Sequence, residues 1–291
     1  MEMSLHSLLR QHLNHFNNYK IMATIQGTLS AQNIKAIPAF ASPYTRGNTA
    51  PRFSDVDILK IRYRTDGASA RELIPEQLSF ERQPIVTTWV LDYGFTNIGP
   101  YKELIHQIEV TFQGKKYDYA ILLVLDNEDA VYGGRENFGY PKVMGEIDFD
   151  VGKRTGVTSF VTATVSRPPG NPIIEYLFKP SNFIGTGPIP PPENEGLNLR
   201  VIPNIIPGAK PNIRQFIPIT FKADVGERWE GIGSLKFPST SEFDPLHKTP
   251  VVEYLGSELL RNCQASFGGF STEAFDFWSL IDLYSRKCSY P

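Results

Sequence analysis

The chain is 291 residues long, enough to bury a substantial core in one large domain or two small ones. Hydrophobic residues make up 41% and charged residues 21%, the balance of a soluble globular protein. A formal net charge of −2 excludes both the basic footprint of a nucleic-acid binder and an acidic disordered tail. Two cysteines, Cys263 and Cys288, make no disulfide framework, and the apolar run at residues 121–125 is too short to cross a bilayer. The first 20 residues lack the apolar core of a secretory signal, so a cytoplasmic protein with no membrane partner is expected.

Residues 4–18 carry Leu5, Leu8, Leu9, Leu13 and Phe16 at helical spacing and read as a peripheral or oligomer-contact helix. Alternation begins at Asp57, where Ile58, Lys60 and Arg62 oppose Leu59, Ile61 and Tyr63 in a half-buried strand. A short helix is predicted over 68–73, ending ahead of Pro75, and a second strand over 85–91. Residues 103–112 and 117–125 flank Gln113-Gly-Lys-Lys116 as a hairpin. Residues 157–165 set Val157, Val161 and Val165 against Thr158, Thr162 and Thr164. Further strands are predicted at 147–151, 173–178, 197–202, 214–221, 229–235 and 251–255. The run Gly185-Thr-Gly-Pro-Ile-Pro-Pro-Pro192 reads as an exposed loop, because proline has no amide to give a sheet interior. Gly268 and Gly269 read as a turn, and residues 272–287 as a C-terminal helix. Many short strands at regular spacing favour one antiparallel β domain with helical trimmings.

No metal site is expected. His12 and His15 alone have ligand-like spacing, and no carboxylate or cysteine accompanies them. His106 shares a strand face with Ile108 and Val110 and reads as a hydrogen-bonded core histidine. The chain has neither a G-x-S-x-G elbow nor a phosphate-binding G-x-G-x-x-G after a strand. Lysine chemistry stands apart, because a nucleophilic lysine needs its amine neutral, through burial or a neighbouring cation. In Tyr140-Pro-Lys-Val-Met144 the lysine sits among apolar residues behind a proline, in a turn between the strands at 120–125 and 147–151. Arg135 and Glu136 can orient one another or bind a substrate carboxylate. On these residues alone an exposed loop lysine is the better reading, by about two to one.

The segment Leu125-Asp-Asn-Glu-Asp-Ala-Val-Tyr-Gly-Gly-Arg-Glu-Asn-Phe-Gly-Tyr-Pro-Lys142 resembles the active-site region of acetoacetate decarboxylases, with its LDNE-like turn, GRE and YPK. Tyr63-Arg-Thr-Asp66, Leu73-Ile-Pro-Glu76, Arg200-Val-Ile-Pro-Asn204 with Arg214, and Glu230-Gly-Ile-Gly-Ser-Leu235 agree in order and spacing, so the likeness runs from about Phe40 to about Gly256. It implies an α+β but mainly β fold, an antiparallel β-cone or barrel with peripheral helices. The domain is set at residues 38–270, between an N-terminal helical extension at 1–37 and a C-terminal helical tail at 271–291. It also implies a homo-oligomer, no cofactor, and Lys142 as an imine-forming nucleophile toward a small keto acid. Glu103 lines up with a family active-site glutamate, which implies a role in proton handling or substrate positioning. Arg135 and Glu136 match the family GRE and Tyr140 its aromatic position, as substrate-binding or supporting groups. A second family glutamate falls on Trp89 and a family arginine on Val56. Val143 stands where a second lysine commonly follows the first, so burial must do most of the activation of Lys142.

The expected activity is therefore a lysine-imine decarboxylase of a β-keto acid, in specialised metabolism of the polyketide type. Two rivals remain open at this stage. One is an imine-forming aldolase, dehydratase or cyclase that releases no CO2. The other is a non-catalytic binder of small ligands.

Overall fold

The computed structural model describes residues 25–30, 32, 34, 36–41, 44, 52–151, 160–189, 192–270 and 275–276. The helix expected at 4–18 lies outside them, as do Val157, Thr158 and nearly all of 272–287. The chain divides into two compact units, Met1–Ser42 and Pro43–Pro291, and the second holds every strand named below.

Strands β1 (Arg52–Arg64), β2 (Ile85–Thr96), β3 (Tyr101–Phe112) and β4 (Lys115–Leu125) form an antiparallel meander. The β3–β4 turn is Gln113-Gly114, at φ 50° and 82°, the doubly positive pair whose twist suits a two-residue hairpin. Helix α1 (Gly67–Ala70) starts at Asp66, whose carboxylate accepts the amides of Ala68 and Ser69, and passes into a 3-10 turn at Arg71–Leu73. Then follow α2 (Glu128–Phe138), β5 (Lys142–Met144), β6 (Glu146–Asp150), β7 (Val161–Ser166), β8 (Pro172–Pro188), β9 (Glu195–Ile202), β10 (Ile213–Lys236), β11 (Glu253–Phe270) and β12 (Phe275–Asp276).

Several expectations change. The strands predicted at 214–221 and 229–235 are one strand, β10, which runs through Gly226 opposite Asn262. There Asn262 takes φ 53°, and a Cβ on Gly226 would meet its Cβ at 2.8 Å, so glycine permits the close approach. The strand predicted at 251–255 extends as β11 to Phe270, so Gly268 and Gly269 lie in a strand and not a turn. Gly185 to Pro188 belong to β8 and not to a loop. There β8 has β10 on one side and β7 has already ended, and such an edge tolerates proline. Phe275 and Asp276 pair with β10 as β12, so at those two residues strand replaces the expected helix.

The described strands form a single sheet in the order β11-β1-β2-β3-β4-β9-β10-β8-β7-β6, and β10 also pairs with β11. That extra pairing closes β11, β1, β2, β3, β4, β9 and β10 into a ring. Directly paired residues share a face. One face of the ring carries Leu59, Val90, Leu104 and Val124 and packs into the main core with Ile147, Val165 and Phe178 from β6–β8. The opposite face carries Ile58, Leu91, Glu103 and Leu125. This second face is the concave one: Arg62 on β1 reaches Glu193, just ahead of β9, at 3.6 Å although other strands separate them both ways around the ring. A smaller apolar cluster of Val56, Ile58, Leu91, Leu125, Leu260 and Cys263 fills one end of this concavity. Among the described residues no helix is long and apolar enough to cross a membrane.

His106 belongs to the main core, fully buried, with Nε2 2.9 Å from Thr249 Oγ1, while Tyr63 donates to the Thr249 carbonyl at 3.0 Å. Burial pulls the imidazole from its ordinary 6.5 down to about 3. Between those values the unfolded chain binds a proton that the folded chain refuses. The site's contribution to stability is therefore complete above pH 6.5 and lost as pH falls toward 3, by about 1.4 kcal/mol per pH unit. Urea midpoints measured from about pH 7 to about pH 4 should fall more steeply for the wild type than for His106→Gln.

Candidate active site

The chain reaches the site through α2, an element the sequence reading took for a turn. Asn127 caps it by accepting the Ala130 amide at 3.0 Å, and Glu128 and Asp129 occupy the first turn. Gly139 ends it at φ 69°, where the amides of Gly139 and Tyr140 return to the carbonyls of Arg135 and Gly134. A Cβ on Gly139 would lie 2.6 Å from the Arg200 backbone, so β9 presses directly on this turn. β9 also fastens the helix end: Asn198 donates to the Phe138 carbonyl at 3.1 Å and Arg200 to the Glu136 carbonyl at 2.7 Å. The chain then enters β5, which pairs in parallel with β4 so that Lys142 lies beside Leu123.

Lys142 therefore starts a strand and is not a loop residue; it is buried, with 7% exposure. Its Nζ lies 2.8 Å from Oε1 of Glu103, which is 2% exposed on β3. The contact is an ion pair in which Oε1 is the carboxylate oxygen turned to the amine. Oε2 accepts from the Tyr93 hydroxyl at 3.1 Å, and the Tyr93 ring packs on Tyr101 at 4.4 Å. Burial and the nearby Glu103 charge push the Tyr93 and Tyr101 phenols well above their ordinary range, so both stay protonated donors at working pH.

Tyr140 presents its ring to the amine, 5.4 Å from Nζ, while its hydroxyl is directed to Asn198; burial, then Glu103, raises its phenol too. Arg135 donates to the Lys142 carbonyl at 3.0 Å and so holds the strand that bears the amine. Glu136 accepts from the Tyr44 hydroxyl. Arg135 and Glu136 thus serve separate partners. Trp89 shares the concave face with Lys142, in the cross-strand row Lys60, Trp89, Ile105, Leu123, Lys142. Val143 points the other way, in the row of Val124, and packs against the main core. Among the described residues no cluster of three or more His, Cys, Asp or Glu side chains could hold a metal.

Two contributors escaped the sequence reading. Tyr93 lies at the strand period from Trp89 and Leu91, and extending β2 by two residues would have found it. Gly134 is the other: a Cβ there would lie 2.5 Å from Cδ and 2.7 Å from Cε of Lys142. The lysine stem runs across bare helix backbone. Gly134→Ala is expected to displace the amine and lower kcat by about ten- to a hundred-fold, with only a small shift in Tm. Steady-state kinetics and a thermal melt on one preparation check both.

A primary amine and a carboxylate, buried together at the apolar end of a closed β-sheet, can add to a carbonyl carbon and move the protons that follow. Comparison with known proteins places the chain in a family. The family profile of acetoacetate decarboxylase (ADC) matches residues 36–269, and the chain belongs to that family. The decarboxylase DEC1 of Cochliobolus heterostrophus is 49% identical over 235 residues, covering 80% of this chain and 92% of that protein. An acetoacetate decarboxylase of Chromobacterium violaceum is 27% identical over 223 residues, covering 75% of this chain and 88% of its own. A solved acetoacetate decarboxylase superposes with a TM-score of 0.72 at 24% identity, over 86% of this chain and 99% of that one. The protein is thus an acetoacetate-decarboxylase-family decarboxylase, a carboxy-lyase.

Proposed function

We propose that this decarboxylase acts on a β-keto acid through an imine on Lys142, without a cofactor. The observation that carries the reading is the buried Lys142 amine 2.8 Å from the Glu103 carboxylate. The amine attacks the substrate ketone and forms a C–N bond. Protonation of the carbinolamine oxygen lets water leave and gives an iminium. The C–C bond to the β-carboxylate then breaks, its electron pair moves toward the iminium nitrogen, and CO2 departs. The enamine takes a proton on carbon, and water hydrolyses the resulting iminium to free the product ketone and the amine.

Glu103 is suited to carry these protons, because Oε1 faces Nζ while Tyr93 holds Oε2. The Tyr140 ring favours the cationic iminium at the same place as the ammonium. The apolar wall of Val56, Ile58, Leu91 and Leu125 disfavours a carboxylate and favours the neutral enamine left after CO2 loss.

Apolar residues at Val56 and Trp89, both on the concave face, suit a bulkier substrate than acetoacetate, and support a setting in specialised, polyketide-type metabolism. Strongly exposed apolar side chains, among them Ile205 at 94%, Ile232 at 78% and Phe243 at 88%, support a homo-oligomer. Borohydride reduction in the presence of β-keto acids, followed by peptide mass spectrometry, tests the imine. An adduct on Lys142 with the mass of the decarboxylated product is expected, and absence of any adduct across the panel would refute the reading.

A further inference from the structure

The concave face continues past the amine–carboxylate pair. Beyond Ile58 on β1 the same face presents Lys60 and then Arg62, and these line a cavity of about 340 Å³ with Glu230, Gly231, Ser257 and Glu258. Lys60 begins the cross-strand row that ends at Lys142, and the three side chains between them, Trp89, Ile105 and Leu123, are apolar. The two lysines therefore stand at opposite ends of one apolar strip.

The Lys60 side chain is 22% exposed and its Nζ lies 5.0 Å over the Trp89 ring. Its counter-charge is poor. Glu258 Oε2 stands 3.7 Å away, and the other oxygen of that carboxylate belongs to Arg228 at 2.7 Å. Burial pulls the Lys60 amine below the ordinary lysine range, Glu258 opposes that, and Arg62 and Arg228 reinforce it. Asp118 acts on it only more weakly, and Arg62 is met by the largely exposed Glu193. An ammonium so placed gains from one more anion.

We infer that Lys60 and Arg62 form a specificity site for a second, distal carboxylate, so that the substrate is a β-keto diacid with its ketone at Lys142. A carboxylate fits better than a phosphate, because Glu258 and Glu230 line the same cavity and repel a doubly charged group. The inference rests on the imine reading of Lys142 and names its substrate class.

The test compares a β-keto diacid with the β-keto monoacid of equal chain length, in the wild type, Lys60→Met and Lys60→Arg. The wild type is expected to prefer the diacid in kcat/KM by about ten- to a hundred-fold. Lys60→Met should lose that preference with the monoacid rate unchanged, and Lys60→Arg should keep it. Calorimetry with adipate, which has no ketone and forms no imine, should show binding to the wild type and Lys60→Arg that Lys60→Met loses. Equal handling of the two acids by the wild type, or parallel losses for both acids in Lys60→Met, overturns the inference. Failure of borohydride trapping with either keto acid instead strikes the imine reading, and the calorimetry still decides the anion site.

Discussion

Lys142→Met is expected to abolish CO2 release, because among the described residues no other amine stands beside Glu103 to form the iminium. Rate falls by at least about 10⁴-fold are usual when a covalent nucleophile is removed. The same variant should be less stable than the wild type. Methionine fills the space, but Glu103 remains in the apolar end of the concavity without its cation. Removing one partner of a buried pair costs about 3–5 kcal/mol. Lys142→Met combined with Glu103→Gln should recover most of that loss and none of the activity. Melting temperature together with CO2 release separates the two effects. An active Lys142→Met enzyme would sink the imine mechanism, whereas an equally unstable double variant would sink only the account of the pair.

Lys142 stood out in the sequence because its neighbours carry the family pattern, and Glu103 because it lies at a fixed place in that pattern. What makes them a pair was not legible. Glu103 and Lys142 meet because β3 pairs with β4 and β4 with β5, so two registers multiply before the side chains touch. The strand alternation at residues 58–63 was read correctly because every second side chain enters a core. The long strands β10 and β11 were read short because glycines interrupt their alternation where the two strands bend together. Helix α2 was missed because Gly133 and Gly134 weaken its helical pattern, although Asn127 and Gly139 mark both ends. Those glycines are there for packing: Gly133 lies against Tyr44 and Gly134 against the lysine stem. Val143 gives a related lesson. As a missing second lysine it suggested a weakened site. In β5 it points away from Lys142 into the main core, so the concave face around the amine is unaffected by its side chain.

Glu103→Gln isolates the proton-handling half of the proposal. Glutamine keeps the size of glutamate and can still accept from Tyr93, but it neither balances the ammonium nor carries a proton. Loss of a positioned acid–base group costs about 10²–10⁴-fold in rate, and a fall in kcat of that order is expected with KM changed far less. Imine formation should survive, since the amine is still buried on the same strand beside the same apolar wall. Borohydride should therefore still label Lys142 in Glu103→Gln, more slowly, while CO2 release stays low. The pattern discriminates between two roles for the carboxylate. If Glu103 only positions the lysine, labelling and turnover fall together. If it shuttles protons between carbinolamine, enamine and water, turnover falls further than labelling. Tyr93 cannot replace it, because burial and the neighbouring carboxylate hold its phenol well above the ordinary range and confine it to donating. The second outcome is the one the geometry favours, because Oε1 faces the amine while Oε2 accepts from Tyr93.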